Sequence, residues 1–243
     1  MTLAPTRMQR RRAPQRLDVL FAIVALAAVA AVVALVVARS GVFGSSSSGT
    51  VVGSGRAVEQ ARYVAPFAAV DLAGSNNVVV HVGGARSVVV RADDNLAGRV
   101  TTRVESDRLV IANKSGSYST RTPMSVTITV PTLRSLVLAG AGTITADGIT
   151  GTSFTILMPG SGLVRTAGRV ERLDVVLAGS GDAQLQQLEA AGVHATVSGS
   201  GRIVVFAKQW LRAAVTGTGS IAYGGDPARV TKAVTGTGSI TPR

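Results

Sequence analysis

The residues best equipped for chemistry in this chain are few and scattered. Two histidines are present, His81 and His194, and there is no cysteine. Each histidine alternates with valines or alanine, the pattern of a strand face, where a lone imidazole is ordinarily part of a surface. A metal site built on them needs carboxylates alongside, and no motif supplies these. The lack of cysteine excludes a disulfide framework, a thiolate metal site, a thiol nucleophile and a lipid-modified N-terminal cysteine. Serines and threonines abound, but none stands in a nucleophile-elbow context. The acids Asp147 and Asp174 fall in separate units of a repeat and Asp182 and Glu189 in a third, all at positions where the other units carry no acid. The chain is therefore read as having no catalytic residue, no cofactor-binding residue, no metal ligand and no enzymatic activity.

The elements that would position these groups are set by glycine. Six Gly-x-Gly triplets are formed by Gly140 and Gly142, Gly160 and Gly162, Gly179 and Gly181, Gly199 and Gly201, Gly217 and Gly219, and Gly236 and Gly238. Their spacings are 20, 19, 20, 18 and 19 residues, the period of a solenoid. Two positions before each triplet stand Leu138, Met158, Leu177, Val197, Val215 and Val234. Four positions after each first glycine stand Ile144, Val164, Ala183, Ile203, Ile221 and Ile240. Leu173, Val175 and Leu177 alternate in period two, as on a strand with one face toward a core. Glycine takes the positive φ that a bend between strands needs, so each triplet is assigned to a corner. A unit this small cannot bury its own apolar face, and stacking unit on unit buries it. Six rungs at about 4.8 Å give a stack about 29 Å tall. The spacing predicts an all-β fold, a right-handed parallel β-helix of 19–20-residue rungs, with the handedness following the general crossover preference.

The dinucleotide fingerprint is excluded, because no triplet has the third glycine in place and no helix-period segment follows. A calcium-binding nonapeptide repeat is excluded because Asp182 has no counterparts in the other rungs. Upstream, Val78–Val82, Ser87–Arg91, Val100–Val104, Arg108–Ala112 and Ser125–Val130 are runs of Val, Ile and Thr split by turn residues. Gly74-Ser75-Asn76-Asn77 resembles one degenerate rung. Tyr118 lies in a polar stretch, Lys114 to Thr122, expected to project from the body.

Ahead of the repeats, residues 19–38 are 20 consecutive apolar residues without a charge. As a helix they span about 30 Å, the thickness of a bilayer's hydrocarbon core. A cleaved signal peptide has a shorter apolar region, so length favours an uncleaved anchor. Five arginines precede this segment and only Arg39 follows closely, which places the N-terminus in the cytoplasm and the remainder outside it. The expected organisation is a basic cytoplasmic segment at 1–18, a transmembrane helix at 19–38, a Gly/Ser-rich flexible linker at 39–61 and an extracytoplasmic domain at 62–243. That domain divides into a strand-rich part, 62–131, and the Gly-x-Gly part, 132–243. The net charge of +12 splits into +5 for residues 1–40 and +7 for the rest. Much of it flanks the span, so no nucleic-acid partner is expected.

Several longer motifs match a family. VLAGSGDAQL (176–185), VSGSGRIVV (197–205), LRAAVTGTGSIAYGGDP (211–227) and the recurring VTGTGSI (234–240) carry the likeness, with RYVAPFAAVDLAGSNNVVV (62–80) and DDNLAGRVTTRVESDRLVI (93–111) upstream. Over about residues 56–243 the chain resembles the bacterial putative auto-transporter adhesin head GIN domain family, a domain of unknown function. The resemblance implies a β-helical fold and export to the envelope, and it supplies no enzyme activity, cofactor or ligand. The expectation is a membrane-anchored, non-enzymatic binding, adhesion or scaffold module of the cell membrane. Its partners would be anionic cell-wall polymers, met by the +7 domain, or another envelope protein. The alternatives are a β-helical glycan-active enzyme, with two acids brought together by stacking, and an accessory or sensor subunit recognised by its span. A proline and a charge at Pro242 and Arg243 guard the last strand against pairing, so a monomer is expected.

Overall fold

The computed structural model describes residues 49–243. The basic segment at 1–18, the anchor at 19–38 and the first part of the linker lie outside the described residues. Among the described residues no helix is long and apolar enough to cross a membrane. The N-terminal region contains β1 (Val51–Val52), β2 (Ala57–Ala61), β3 (Ala69–Leu72), β4 (Asn77–Val82), β5 (Ser87–Asp93), β6 (Val100–Glu105), β7 (Arg108–Asn113), β8 (Tyr118–Ser119) and β9 (Ser125–Val130). After it come β10 (Ser135–Leu138), β11 (Thr143–Met158), β12 (Leu163–Leu177), β13 (Asp182–Gly199), β14 (Arg202–Gly217), β15 (Ser220–Gly224), β16 (Arg229–Gly236) and β17 (Ser239–Pro242).

From β10 onward the chain winds as a β-solenoid of about five turns. The long strands β11 to β14 bend, giving their first halves to one wall and their last halves to another. Every pairing in this part is parallel. On the first wall Ile144, Val164, Ala183, Ile203, Ile221 and Ile240 stand in register. On the second, Leu136, Ile156, Val175, Ala195 and Ala213 form a ladder that ends at Lys232. Side chains of both walls meet in one dry core, with Phe154, Leu138, Ile144, Ile149, Ile156 and Met158 among its largest fully buried members. This is the period-two alternation of the sequence, closed on itself.

The triplet glycines lie between the end of one strand and the start of the next or close to it, and a positive φ is not what they have in common. Only Gly217 and Gly236, at φ +113° and +112°, are far inside the left-handed region, and Gly199 lies at its edge. The others have no positive φ. What all twelve share is proximity. A Cβ on the first glycine of a triplet would come within 2.0–2.8 Å of a carbonyl oxygen one rung back, and on the second within 2.1–2.6 Å. The second column's carbonyls also carry the ladder through the triplets. Leu163, Asp182, Arg202, Ser220 and Ser239 donate their N–H groups to Gly142, Gly162, Gly181, Gly201 and Gly219 at 3.0–3.1 Å. Glycine is required because adjacent coils touch backbone to backbone here.

The N-terminal region departs from the expected order. Residues 69–82 do form a rung, as the Gly74 segment suggested, with β3 beside β10 and β4 beside β11. The rung that lies outside it, however, comes later in the chain: β7 pairs parallel with β3, and β9 with β4. The chain then steps back over residues 131–134 and resumes on the other side as β10. Antiparallel strands finish this end, β2 on β5, β5 on β9, and β6 on β7. The β6–β7 turn places Ser106 and Asp107 at φ +49° and +65°, the double left-handed step of a type I′ hairpin. The parallel β-helix is thus confined to the coil stack and the rungs that join it.

The segment expected to be a flexible linker reaches into this cap. Val51–Val52 pairs with Tyr118–Ser119, and β2 adds an edge to the sheet. Asp93 is the tie: its buried carboxylate accepts N–H groups of Gly55 at 2.9 Å, Arg121 at 2.9 Å and Thr122 at 3.3 Å. Burial opposes its ionisation, but these backbone donors prevail and hold it below the ordinary carboxylate value. Asp71, also buried, takes a bidentate pair from Arg108 at 2.8 and 2.9 Å. There burial dominates and pushes the carboxyl up.

Candidate functional site

On the second wall, the residues that face outward from β12, β13, β14 and β16 form two short columns. In one, Arg172, Gly192, Trp210 and Arg229 stand in register; in the next, Asp174, His194, Arg212 and Thr231. All of them but Gly192 and Asp174, together with Leu211, border an open groove of about 320 Å³.

Trp210 is the chain's only tryptophan, and Gly192 is its seat. A Cβ built on Gly192 would fall 1.9 Å from the indole Cε2, 2.1 Å from Cζ2 and 2.3 Å from Nε1. Near-equal distances to three bonded ring atoms mean that the ring lies with its face, rather than its edge, over the glycine. The opposite face is turned away from the sheet. His194 meets the indole edge-on, with ring centroids 6.4 Å apart and planes at 83°.

The charges of the groove are divided. Arg172 donates to both oxygens of Asp174 at 3.0–3.2 Å, and His194 Nδ1 lies 3.7 Å from the same carboxylate. Burial raises the Asp174 pKa, but hydrogen bonds from His194 and Arg172 outweigh it and hold the carboxyl below its ordinary value. Asp174 is thereby satisfied on the β12 side. Arg212 and Arg229, on β14 and β16, have no carboxylate partner among the described residues. The arrangement offers a flat aromatic face with two guanidinium groups beside it. That is binding chemistry for an anion attached to a ring.

The other candidate residues are paired off. His81 is hydrogen-bonded to Asp147 one rung away, at 3.0 Å on the first wall. Both histidines therefore do meet a carboxylate, which the separate segments did not suggest, yet no group of three potential metal ligands forms among the described residues. Asp182 accepts from Gln184 at 2.7 Å, and Glu189 is held between Arg169 at 2.9 Å and Lys208 at 2.6 Å. The four acids thus take cations, histidine or amide as partners, not one another. The twelve triplet glycines line a backbone seam and present no ligand. Tyr118, expected in a projecting loop, is half-buried instead, bonded to Asn113 and packed beneath Arg99. A second groove in the N-terminal cap is bordered by Arg99, Arg103 and Lys114. Arg99 there donates to the Ser115 carbonyl, and Arg103 pairs with Glu105.

Sequence reasoning missed the Trp210 groove, although the signal was available. Asp174 and His194 are 20 residues apart, and Gly192 and Trp210 are 18 apart, both within the range of the repeat. Writing the chain out at that period places them side by side.

A family model and a solved structure support this architecture. The family model described as putative auto-transporter adhesin, head GIN domain, matches residues 66–227. A putative adhesin from Bacteroides fragilis has a similar crystal structure, with a TM-score of 0.68 at 22% identity, covering 79% of this chain and 100% of that one. A putative adhesin from Parabacteroides merdae aligns with a TM-score of 0.49 at 17% identity, covering 80% of this chain and 99% of that one. A putative lipid binding protein from Parabacteroides distasonis aligns with a TM-score of 0.48 at 20% identity, covering 80% and 100%. Among proteins of curated function none is detectably similar.

Proposed function

The chain belongs to the putative auto-transporter adhesin, head GIN domain family, and we propose that it is a non-enzymatic binding module of the cell envelope, held at the membrane by residues 19–38 and engaging anionic wall polymers with its solenoid. The observation that carries this reading is the Trp210 groove, where Arg212 and Arg229 flank a half-buried indole and neither has a carboxylate partner among the described residues. The +7 charge of residues 41–243 adds long-range attraction to a polyanion. The apolar 20-residue segment and the arginines before it favour a single-pass anchor with the solenoid outside the cytoplasm.

The test is retention of the full-length chain, in detergent, on purified cell-wall material. Retention at low salt that is released as ionic strength rises is the expected result, because contacts between exposed charges are screened over about 8–10 Å. Failure to bind at low salt defeats the proposal. Release of new sugar ends from the wall material, abolished by Asp174→Asn, would instead mark the chain as a glycan-cleaving enzyme.

A further inference from the structure

We infer that the Trp210 groove is a subsite for one acidic sugar unit of a polymer, its ring lying on the indole and its carboxylate or phosphate gripped by Arg212 and Arg229. This rests on the envelope-binding reading above and gives it a place and a ligand class.

Three observations converge. First, Gly192 makes room for the indole to lie flat, so the ring presents a face to the groove and not an edge. A flat π-face suits the C–H face of a sugar ring. Second, Arg212 adjoins Trp210 along β14, and Arg229 is its register partner on β16. Neighbouring strands lie about 4.8 Å apart, so both guanidinium groups can reach an anion beside the same ring. Third, Asp174, which stands beside the groove without lining it, is already held by Arg172 at 3.0 Å, so this carboxylate does not compete for Arg212 and Arg229.

The alternatives fit less well. Single-stranded nucleic acid is held by successive aromatic platforms, and this groove has one tryptophan with a histidine set edge-on. A lipid tail needs an apolar trough, whereas the groove is bordered largely by arginines, His194 and Thr231. Its volume of about 320 Å³ is at the small end of the roughly 300–1,000 Å³ typical of ligand sites. That size suits a single unit of a chain that continues beyond both ends of the groove.

Because Trp210 is the only tryptophan, its fluorescence reports directly on the site. The full-length chain is titrated with polygalacturonate, with a glycerol-phosphate wall polymer, with neutral dextran and with a single-stranded oligonucleotide. A saturable emission change with polygalacturonate or the phosphate polymer, absent with dextran, is expected; the responding polymer tells carboxylate from phosphate. Arg212→Ala and Arg229→Ala each weaken binding by about tenfold or more, the scale of one charge-assisted pair. Gly192→Ala displaces the indole and removes the response while both arginines remain, and its unchanged strand signature in circular dichroism shows that the fold is intact. An equal response to dextran, or a stronger one to the oligonucleotide, overturns the assignment. If the chain is retained on wall material but all three variants bind as well as the parent, the subsite is refuted and the envelope reading survives. If neither wall material nor either acidic polymer binds, both fall.

Discussion

The two ends of the fold solve the same problem by opposite means. Residues 135–243 repeat one local solution: apolar ladders inside, triplet glycines against the backbone of the previous coil, and parallel pairing from coil to coil. Residues 49–134 repeat almost nothing. They place rungs out of chain order, reverse strand direction and bury the carboxylates of Asp71 and Asp93 in hydrogen bonds that occur once each. A coil can rely on its neighbour for hydrogen bonds and burial, and a terminal coil cannot. The stack therefore tolerates little change at its shared seam, whereas the cap depends on a few particular polar ties.

The sharpest test of that contrast is at glycine. Gly162→Val would force a side chain into a backbone oxygen of the previous rung, since a Cβ there lies 2.1 Å from the Gly142 carbonyl. A loss of about 4 kcal/mol or more is expected in urea melts, in the range reserved for severe core or backbone conflicts. Gly98→Ala in the cap, where a Cβ meets nothing within 4 Å, should change stability by less than about 0.5 kcal/mol. Equal effects at the two sites would abolish the distinction. Phe154→Ala, at the centre of the stacked core and 1% exposed, should cost about 3–5 kcal/mol in the same melts.

The cap should yield first to acid. The Asp93 pKa is lowered in the folded state, so its contribution is complete above the ordinary value of 3.8 and is lost as pH falls below that through the depressed folded value. Hydrogen exchange should then quicken at the amides of Gly55, Arg121 and Thr122 before it does in the coil stack. Simultaneous loss in both regions would show that Asp93 is not a local tie. The smallest effect is expected at the far end. Lys232 continues the inward ladder of Ala213, places its Nζ 4.8 Å from the Tyr223 ring centroid and donates to the Ile240 carbonyl at 3.2 Å. Lys232→Leu should barely alter melting but should promote self-association in sedimentation, because an inward-facing charge guards an otherwise open apolar end.

Much of the stack was legible because its signal is periodic. The residues two before and four after each triplet's first glycine are buried in five rungs, from Leu138 to Val215 and from Ile144 to Ile221. Val234 departs, at 46% exposed, because nothing among the described residues covers the last rung on that side. The cap was illegible for the opposite reason. Nothing local in Arg108–Asn113 states that its partner is Ala69–Leu72, since the choice between one flank of β3 and the other is made by tertiary packing. The positive-φ argument for the triplets failed because a carbonyl one rung away, not the residue's own torsion, demands glycine at most of them. Trp210 escaped notice because its partner is the empty space over Gly192, and an absent side chain carries no chemical signature of its own.

The out-of-order rung also fixes how the molecule can assemble. Until residues 108–130 have docked on one flank of residues 69–82, both flanks are open and compete for the next strand to arrive. Once that flank is filled, β10 has a single remaining place, and each later coil can add only to the one before it. The pairing of β7 with β3 and of β9 with β4 is thus the topologically demanding part of the fold, because the chain must return past its own earlier strands. A protein emerging from the ribosome or across a membrane N-terminus first would complete its difficult step before the monotonous part of its sequence appears.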